Sequence, residues 1–268
     1  MQFKELGRTG VQVPEIGLGT WQYRGGVEPL RNGISLGAFL IDTAEMYGTE
    51  DVVGEAVKGM REQVFIATKV SGNHLRYDEV LRAAEQSLGR LGSDYIDLYQ
   101  VHWPNGRVPI EETMRAMEAL ADWGLVKHVG VSNFSIREME EAQASMSNHR
   151  IVSNQVEYSL LERKIERDVL PYCQENGITV IAYSPLAKGA LASRPLVRHR
   201  KSIDVLHTVA DEIGKTPAQV AFNWLIARPN VIAIPKANST ERIRENCDAS
   251  GWSLSPQHTV ALERAFSE

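Results

Sequence analysis

The chain has very little cysteine: two in 268 residues, Cys173 and Cys247, far apart and in no metal-type spacing. That excludes a disulfide framework and a thiolate metal centre, no metal is expected, and a reducing, cytoplasmic setting is the simplest reading. No apolar run approaches the length that crosses a bilayer, and the start Met1-Gln2-Phe3-Lys4-Glu5-Leu6 lacks the apolar core of a signal peptide. No membrane partner is expected. Basic residues are not in excess; the net charge is −5, which argues against a nucleic-acid footprint. Neither G-x-G-x-x-G nor G-x-x-x-x-G-K-[ST] occurs, so the glycine-rich phosphate turn of an open, doubly wound sheet is missing.

What the chain does have is alternation. Phe3 to Val13 reads as two short strands around Arg8-Thr9-Gly10. Strand-like segments then follow at Ile16 to Gly19, Phe39 to Asp42, Val64 to Val70, Tyr95 to His102, Val126 to Ser132, Ile151 to Glu157, Ile178 to Ser184 and Val231 to Ile234. Helix-like segments separate or follow them: about Glu50 to Gly59, Tyr77 to Leu91, Ile110 to Trp123, Ile136 to Ala144, Lys164 to Glu175, Ser202 to Ile213, Pro217 to Ala227 and from Thr240. Repeated strand–helix–strand units require parallel strands with right-handed crossovers. Eight such units predict a (β/α)8 TIM barrel, with the N-terminal β-hairpin closing the bottom and residues 1–268 forming a single domain. The basic stretch Arg194 to Lys201 reads as a solvated face, and Trp123, Trp224 and Trp252 as packing residues.

In such a barrel the chemistry sits on the loops after the strands, at the C-terminal rim. Asp42, Tyr47, Lys69 and His102 all fall at strand ends or just beyond them. Singly, each has an ordinary use: a turn-capping aspartate, a loop aromatic, a surface lysine, a satisfied histidine. Jointly, at three successive strands, they compose a proton-delivery group suited to a carbonyl. Hydride addition to a carbonyl leaves charge on oxygen, which a tyrosine can quench with its proton. A neighbouring lysine is expected to lower the phenol from its ordinary pKa of about 10, with the aspartate holding the lysine charged and aimed. A neutral histidine can donate to the same oxygen. Trp21, Met46 and Trp103 are broad apolar candidates for the pocket wall, with His102 between them.

The ordered motifs Gly17-Leu18-Gly19-Thr20-Trp21, Ile41-Asp42-Thr43-Ala44 with Tyr47-Gly48, Thr68-Lys69, His102-Trp103-Pro104, Gly130-Val131-Ser132-Asn133-Phe134, Asn154-Gln155, Ala182-Tyr183-Ser184-Pro185-Leu186 and Ile234-Pro235-Lys236 resemble the aldo-keto reductase family. The resemblance spans about residues 3 to 250 and implies NADPH-dependent reduction of aldehydes and ketones to alcohols, reversibly, by a barrel that binds NADPH (NADP+) without a Rossmann fold. It implies Tyr47 as general acid, Asp42 and Lys69 as its tuning pair and His102 as carbonyl orienter. It implies a cofactor lined by Thr20, Trp21 and Asp42, with Ser132, Asn133 and Gln155 at the nicotinamide carboxamide. Tyr183 would stack on the ring, and Ser184 to Leu186 would line the pyrophosphate. The segment Lys236 to Arg242, including Ser239, matches a 2′-phosphate site, with Glu245 and Asn246 at the adenine. Ala237 and Thr240 stand where many members have serine and proline, and the tail is short. Two other readings are an NADPH-binding regulatory barrel with little turnover, and a lyase forming a Schiff base on Lys69. A small-molecule carbonyl substrate and a monomer are expected.

Overall fold

The structure is a computed structural model that describes residues 1–193 and 199–267; Arg194 and Arg198 of the basic stretch lie outside the described residues. An antiparallel hairpin, β1 (Phe3–Glu5) and β2 (Gln12–Pro14), comes first. Eight strands then follow one another in space in chain order: β3 (Leu18–Gly19), β4 (Leu40–Asp42), β5 (Phe65–Val70), β6 (Ile96–Val101), β7 (Val126–Ser132), β8 (Ile151–Glu157), β9 (Thr179–Tyr183) and β10 (Val231–Ala233). Every neighbouring pair is parallel. The sheet closes on itself, because Gly17 N donates to Ala233 O at 2.8 Å and Gly19 N to Pro235 O at 3.0 Å. The expected (β/α)8 barrel is therefore present.

The helices are α1 (Val27–Ser35), α2 (Glu50–Val57), α3 (Tyr77–Leu91), α4 (Ile110–Asp122), α5 (Ile136–Ala144), α6 (Val169–Asn176), α7 (Arg200–Ile213), α8 (Pro217–Ile226), α9 (Thr240–Cys247) and α10 (Pro256–Ala265). A barrel strand is buried on both faces, which is why its sequence reads as an apolar run; all six residues of β5 are buried. The faces part into two cores. Ile41, Ile66, Tyr99, Val101 and Val180 look outward to the helices. Leu40, Phe65, Ala67, Leu98, Ile181 and Ile232 fill the lumen together with Leu6 and Val13 of the hairpin. The hairpin thus stoppers the end opposite the C-terminal rim.

Four local features differ from the sequence expectation. Helix α1 was not anticipated, because Pro29 and Gly33 argue against helix; yet Pro29 falls in the first turn, where backbone N–H groups lack intrahelical partners anyway. Gly33 is needed for close packing: a Cβ there would lie 2.7 Å from Leu18. Helix α10 was also missed, although Ser255 caps it and Pro256 opens it, a readable start signal. The helix expected over Lys164 to Glu175 is a 3₁₀ turn, Lys164–Arg167, then α6, divided at Asp168, whose carboxylate accepts from Val169 N at 2.7 Å. Trp123 does not pack: it ends α4 and is 58% exposed, whereas Trp224 is fully buried.

The hairpin is clamped by one side chain. Lys4 Nζ donates to Val231 O at 2.7 Å, to Arg228 O at 2.9 Å and also to Ile226 O, gathering the end of α8 and the start of β10. Replacing it with methionine keeps the stem and removes the donors from three carbonyls. Lys4→Met is expected to lower unfolding free energy by about 2 kcal/mol, the scale of a lost charged hydrogen-bonding group. Urea-unfolding midpoints check this, and an unchanged midpoint would show that the stopper does not depend on the clamp.

Candidate functional site

Four consecutive segments bring four groups to the C-terminal rim. Asp42 is the last residue of β4, Lys69 the penultimate residue of β5, and His102 directly follows β6. Tyr47 ends a 3₁₀ turn, Glu45–Tyr47, which Gly48 closes at φ 66°, a left-handed conformation that glycine adopts without penalty. The parallel register pairs Asp42 with Ala67 and Lys69 with Gln100, so Lys69 and then His102 each lie two residues farther along their strand than the partner of the preceding group.

The centre of the site is an ion pair. Lys69 Nζ donates to Asp42 Oδ1 at 2.7 Å, to Oδ2 at 2.9 Å and to the Thr43 carbonyl at 2.8 Å. Both partners are buried, Lys69 completely. Gln155 on β8 reaches across the lumen and donates to Asp42 Oδ2 at 2.7 Å. Tyr47 Oη lies 3.4 Å from Lys69 Nζ and 3.4 Å from His102 Nε2, so one hydroxyl touches both the ammonium and the imidazole. The ammonium also stands 4.9 Å from the centre of the Tyr47 ring.

The electrostatics depart from the expectation in one respect. The Tyr47 phenol is not lowered by Lys69; burial and the nearby Asp42 carboxylate hold its pKa well above the ordinary phenol value. Asp42 largely cancels the lysine charge, and the site is dry enough that a phenolate would be expensive. Tyr47 is therefore protonated at neutral pH, the form a proton donor needs. Burial, and secondarily the Lys69 ammonium, push His102 down to about 4, so its ring is neutral.

Around this centre the rim carries the other expected residues. Ser132 Oγ donates to Gln155 O at 2.9 Å, Asn133 Nδ2 to His102 O at 3.1 Å, and Tyr183 Oη to Asn133 Oδ1 at 3.0 Å. Asn133 and Ser184 have φ of 62° and 50°, left-handed values that non-glycine residues rarely hold. Trp21, Met46 and Trp103 are among the few exposed large apolar side chains, and Trp21 leans on Tyr47 with ring centres 5.0 Å apart.

Two expected cofactor contacts sit differently. Thr20 is fully buried, with its hydroxyl bonded to Asp42 O and Thr49 Oγ1 at 2.9 Å each; its side chain braces the floor and does not face the mouth. Gln155 has its amide N–H committed to Asp42. Sequence reasoning did not find Glu45, whose carboxylate accepts from Ser71 N and contacts His74 Nδ1 at 3.0 Å, joining the Tyr47 turn to the chain after Lys69. No motif signals such a tie.

Farther along the rim, Lys236 is exposed and follows β10 by three residues. Ser239 caps α9, accepting from Arg242 N, and Arg242 bonds Glu245 at 2.5 Å while remaining 71% exposed; Asn246 is buried below, and Leu186 lies half-buried after Tyr183. Arg24 N donates to Asn238 Oδ1 at 3.0 Å, so the loop after β3 touches the loop after β10. Lys236 and the N–H groups at the start of α9 at one end, and flat aromatics with amide groups at the other, suit a long anionic nucleotide with a planar head.

The aldo/keto reductase family model matches residues 15–265. Methylglyoxal reductase YeaE of Escherichia coli is 39% identical over 277 residues, covering 99% of this chain and 96% of that protein. Glyoxal reductase of Bacillus subtilis is 35% identical, covering 92% and 87%. Among solved structures, the thermostable aldo-keto reductase Tm1743, in complex with the inhibitor epalrestat, superposes with TM-score 0.92 at 43% identity over 99% of this chain and 100% of that one. An aldo/keto reductase from Klebsiella pneumoniae in complex with NADP and acetate gives 0.88 at 39% identity over 95% and 92%.

The His102 environment makes a measurable statement. The unfolded chain binds the imidazole proton near pH 6.5 and the folded chain near about 4. The stability this group contributes is thus fully present above the unfolded value and is lost as pH falls through that window. Its ring NMR signals are expected to stay unchanged from neutral pH down to about pH 5. A midpoint close to the ordinary histidine value would contradict the burial.

Proposed function

The chain belongs to the aldo/keto reductase family, and on that premise we propose that it reduces small aldehydes and ketones to alcohols with NADPH. The observation that carries the reading is the Tyr47 hydroxyl, 3.4 Å from both Lys69 Nζ and His102 Nε2 at the mouth of the barrel. When bound, the dihydronicotinamide supplies the hydride. Ser132 and Asn133 offer polar groups to its carboxamide, and Tyr183 offers a flat face. Lys236 and Arg242 would hold the 2′-phosphate beside the start of α9, where the helix end favours an anion.

The chain's own residues handle the oxygen. A substrate carbonyl seated between Trp21, Met46 and Trp103 places its oxygen against Tyr47 Oη and His102 Nε2. Two neutral donors polarise it without a buried charge facing the substrate. Tyr47 passes its proton to the forming alkoxide, and Lys69 stabilises the phenolate left behind. Asp42 and Gln155 keep Lys69 aimed. In the reverse direction the same phenolate accepts the alcohol proton. Lys69 makes a poor Schiff-base amine, since it is fully buried and bonded to three oxygens.

Tyr47→Phe keeps the ring and removes the donor. Carbonyl-dependent NADPH oxidation is expected to fall by about 10²- to 10⁴-fold with NADPH binding intact. Tight NADPH binding with no turnover of any aldehyde by the unmodified protein would instead favour the regulatory barrel. For the cofactor, Lys236→Ala is expected to raise the Kd for NADPH by about tenfold, the size of one charge-assisted contact, while leaving NADH nearly unchanged. Equal losses for the two nucleotides would remove Lys236 from the phosphate site.

A further inference from the structure

Among the described residues, eight buried side-chain nitrogen or oxygen atoms have no protein hydrogen-bond partner, and four of them belong to three residues: both amide atoms of Gln100, Ser153 Oγ and His102 Nδ1. The remaining four are on four separate residues. All three residues are buried, at 0% exposure for Gln100 and Ser153 and 7% for His102.

Topology puts them together. Gln100 and His102 alternate on one face of β6 and its continuation, the same lumen face as Leu98. Gln100 pairs with Lys69 on one side and Gly130 on the other. Opposite Gly130, β8 carries a bulge: Val129 pairs with Ile151 but Val131 with Asn154, so Val152 and Ser153 together face one residue. A bulge re-aims a side chain, and here Ser153 Oγ points at Gly130. A Cβ at position 130 would lie 2.3 Å from Ser153 Oγ and 3.0 Å from Gln100 Cγ, so only glycine admits both.

An unpartnered buried amide, hydroxyl or ring nitrogen costs about 1–3 kcal/mol each. Such groups are ordinarily satisfied by an internal water making two to four bonds. Two hydrogen bonds of about 2.8 Å each let one water join polar atoms up to about 5.5 Å apart, a gap that a direct bond does not close. We propose that the lumen beneath His102 holds an ordered water, bound by Gln100 and Ser153, which donates a hydrogen bond to His102 Nδ1. A neutral imidazole carries one N–H; if Nδ1 accepts, the proton is on Nε2. Nε2 is the nitrogen 3.4 Å from Tyr47 Oη. Gln100 and Ser153 are thus positioning residues: through the water they select the tautomer that donates toward the mouth.

The kinetic part of this inference rests on the proposed carbonyl reduction; the water and the tautomer do not. The test uses the full chain with NADPH bound. Imidazole ¹⁵N spectra of wild type are expected to show His102 wholly in the Nε2–H form. In Gln100→Leu with Ser153→Ala, the Nδ1–H form is expected to appear, with kcat for an aldehyde down about tenfold, the equivalent of one hydrogen bond. The NADPH Kd and the substrate KM should hold within about twofold. Should the double variant fold poorly, Ser153→Ala alone is read the same way, and a high-resolution crystal structure of wild type must place a water in contact with Gln100. An unchanged Nε2–H spectrum in a folded variant, or a crystal structure with that water missing, overturns the inference. Either result in an enzyme still disabled by Tyr47→Phe leaves the proposed function standing.

Discussion

The bond between Lys69 and Asp42 is the constraint on which the rest of the site depends. Two opposite charges are held out of water inside the barrel, where an unpaired one would be prohibitive. They are tolerated because nearly every polar atom has a partner: three oxygens around the ammonium, and the ammonium plus the Gln155 amide around the carboxylate. The pair also ties β4 to β5 and, through Gln155, to β8 across the lumen. A barrel can bear this cost because its strand ends are fixed by the ladder on both sides, so the charges cannot drift apart.

That pairing sets the state of its neighbours. A lone ammonium would pull the phenol toward phenolate. Burial first, and the Asp42 carboxylate that neutralises the lysine second, instead keep Tyr47 protonated. The same dry surroundings and the residual cation keep His102 uncharged. The mouth consequently presents two uncharged groups, the Tyr47 hydroxyl and the His102 ring, above a compensated ion pair. In the proposed proton transfer the nearest cation to the phenol oxygen is Lys69, at 3.4 Å, with its charge largely offset by Asp42.

Sequence and structure agree where burial dictates pattern and diverge where local geometry decides. The apolar runs of β5 to β9 were legible because strands covered on both faces have no polar alternation to blur them. Asp42, Lys69 and His102 were legible because each stands at or next to the end of such a run, and Tyr47 because it lies in the loop after one. Helix α1 was hidden by Pro29 and Gly33, whose tolerated positions depend on helix register and on Leu18, neither of which sequence displays. Trp123 reads as core by composition alone, yet its place at a helix end leaves it in solvent. Thr20 sits in a motif expected to line a cofactor, but its hydroxyl bonds the Asp42 carbonyl and Thr49. The direction of the Tyr47 shift needed the burial of the phenol and its closeness to the Asp42 carboxylate, neither of which the sequence displays.

The lumen itself explains why stability and chemistry do not compete here. Its lower layers, from Leu6 and Val13 through Leu40, Phe65, Leu98 and Ile232, are hydrocarbon and bear the packing. Polarity begins where Gln100, Gly130 and Ser153 meet, and Lys69, the ladder partner of Gln100, adds charge through its pair with Asp42. A regular ladder would carry the alternation of β8 unchanged into this layer. The bulge opposite Gly130 breaks it, adding one residue so that Ser153 faces inward without displacing Gln155, two residues on, from Asp42. The missing side chain at Gly130 makes the room. One extra residue in one strand and one absent Cβ in its neighbour thus convert a sealed apolar core into the underside of a reactive site within a single layer.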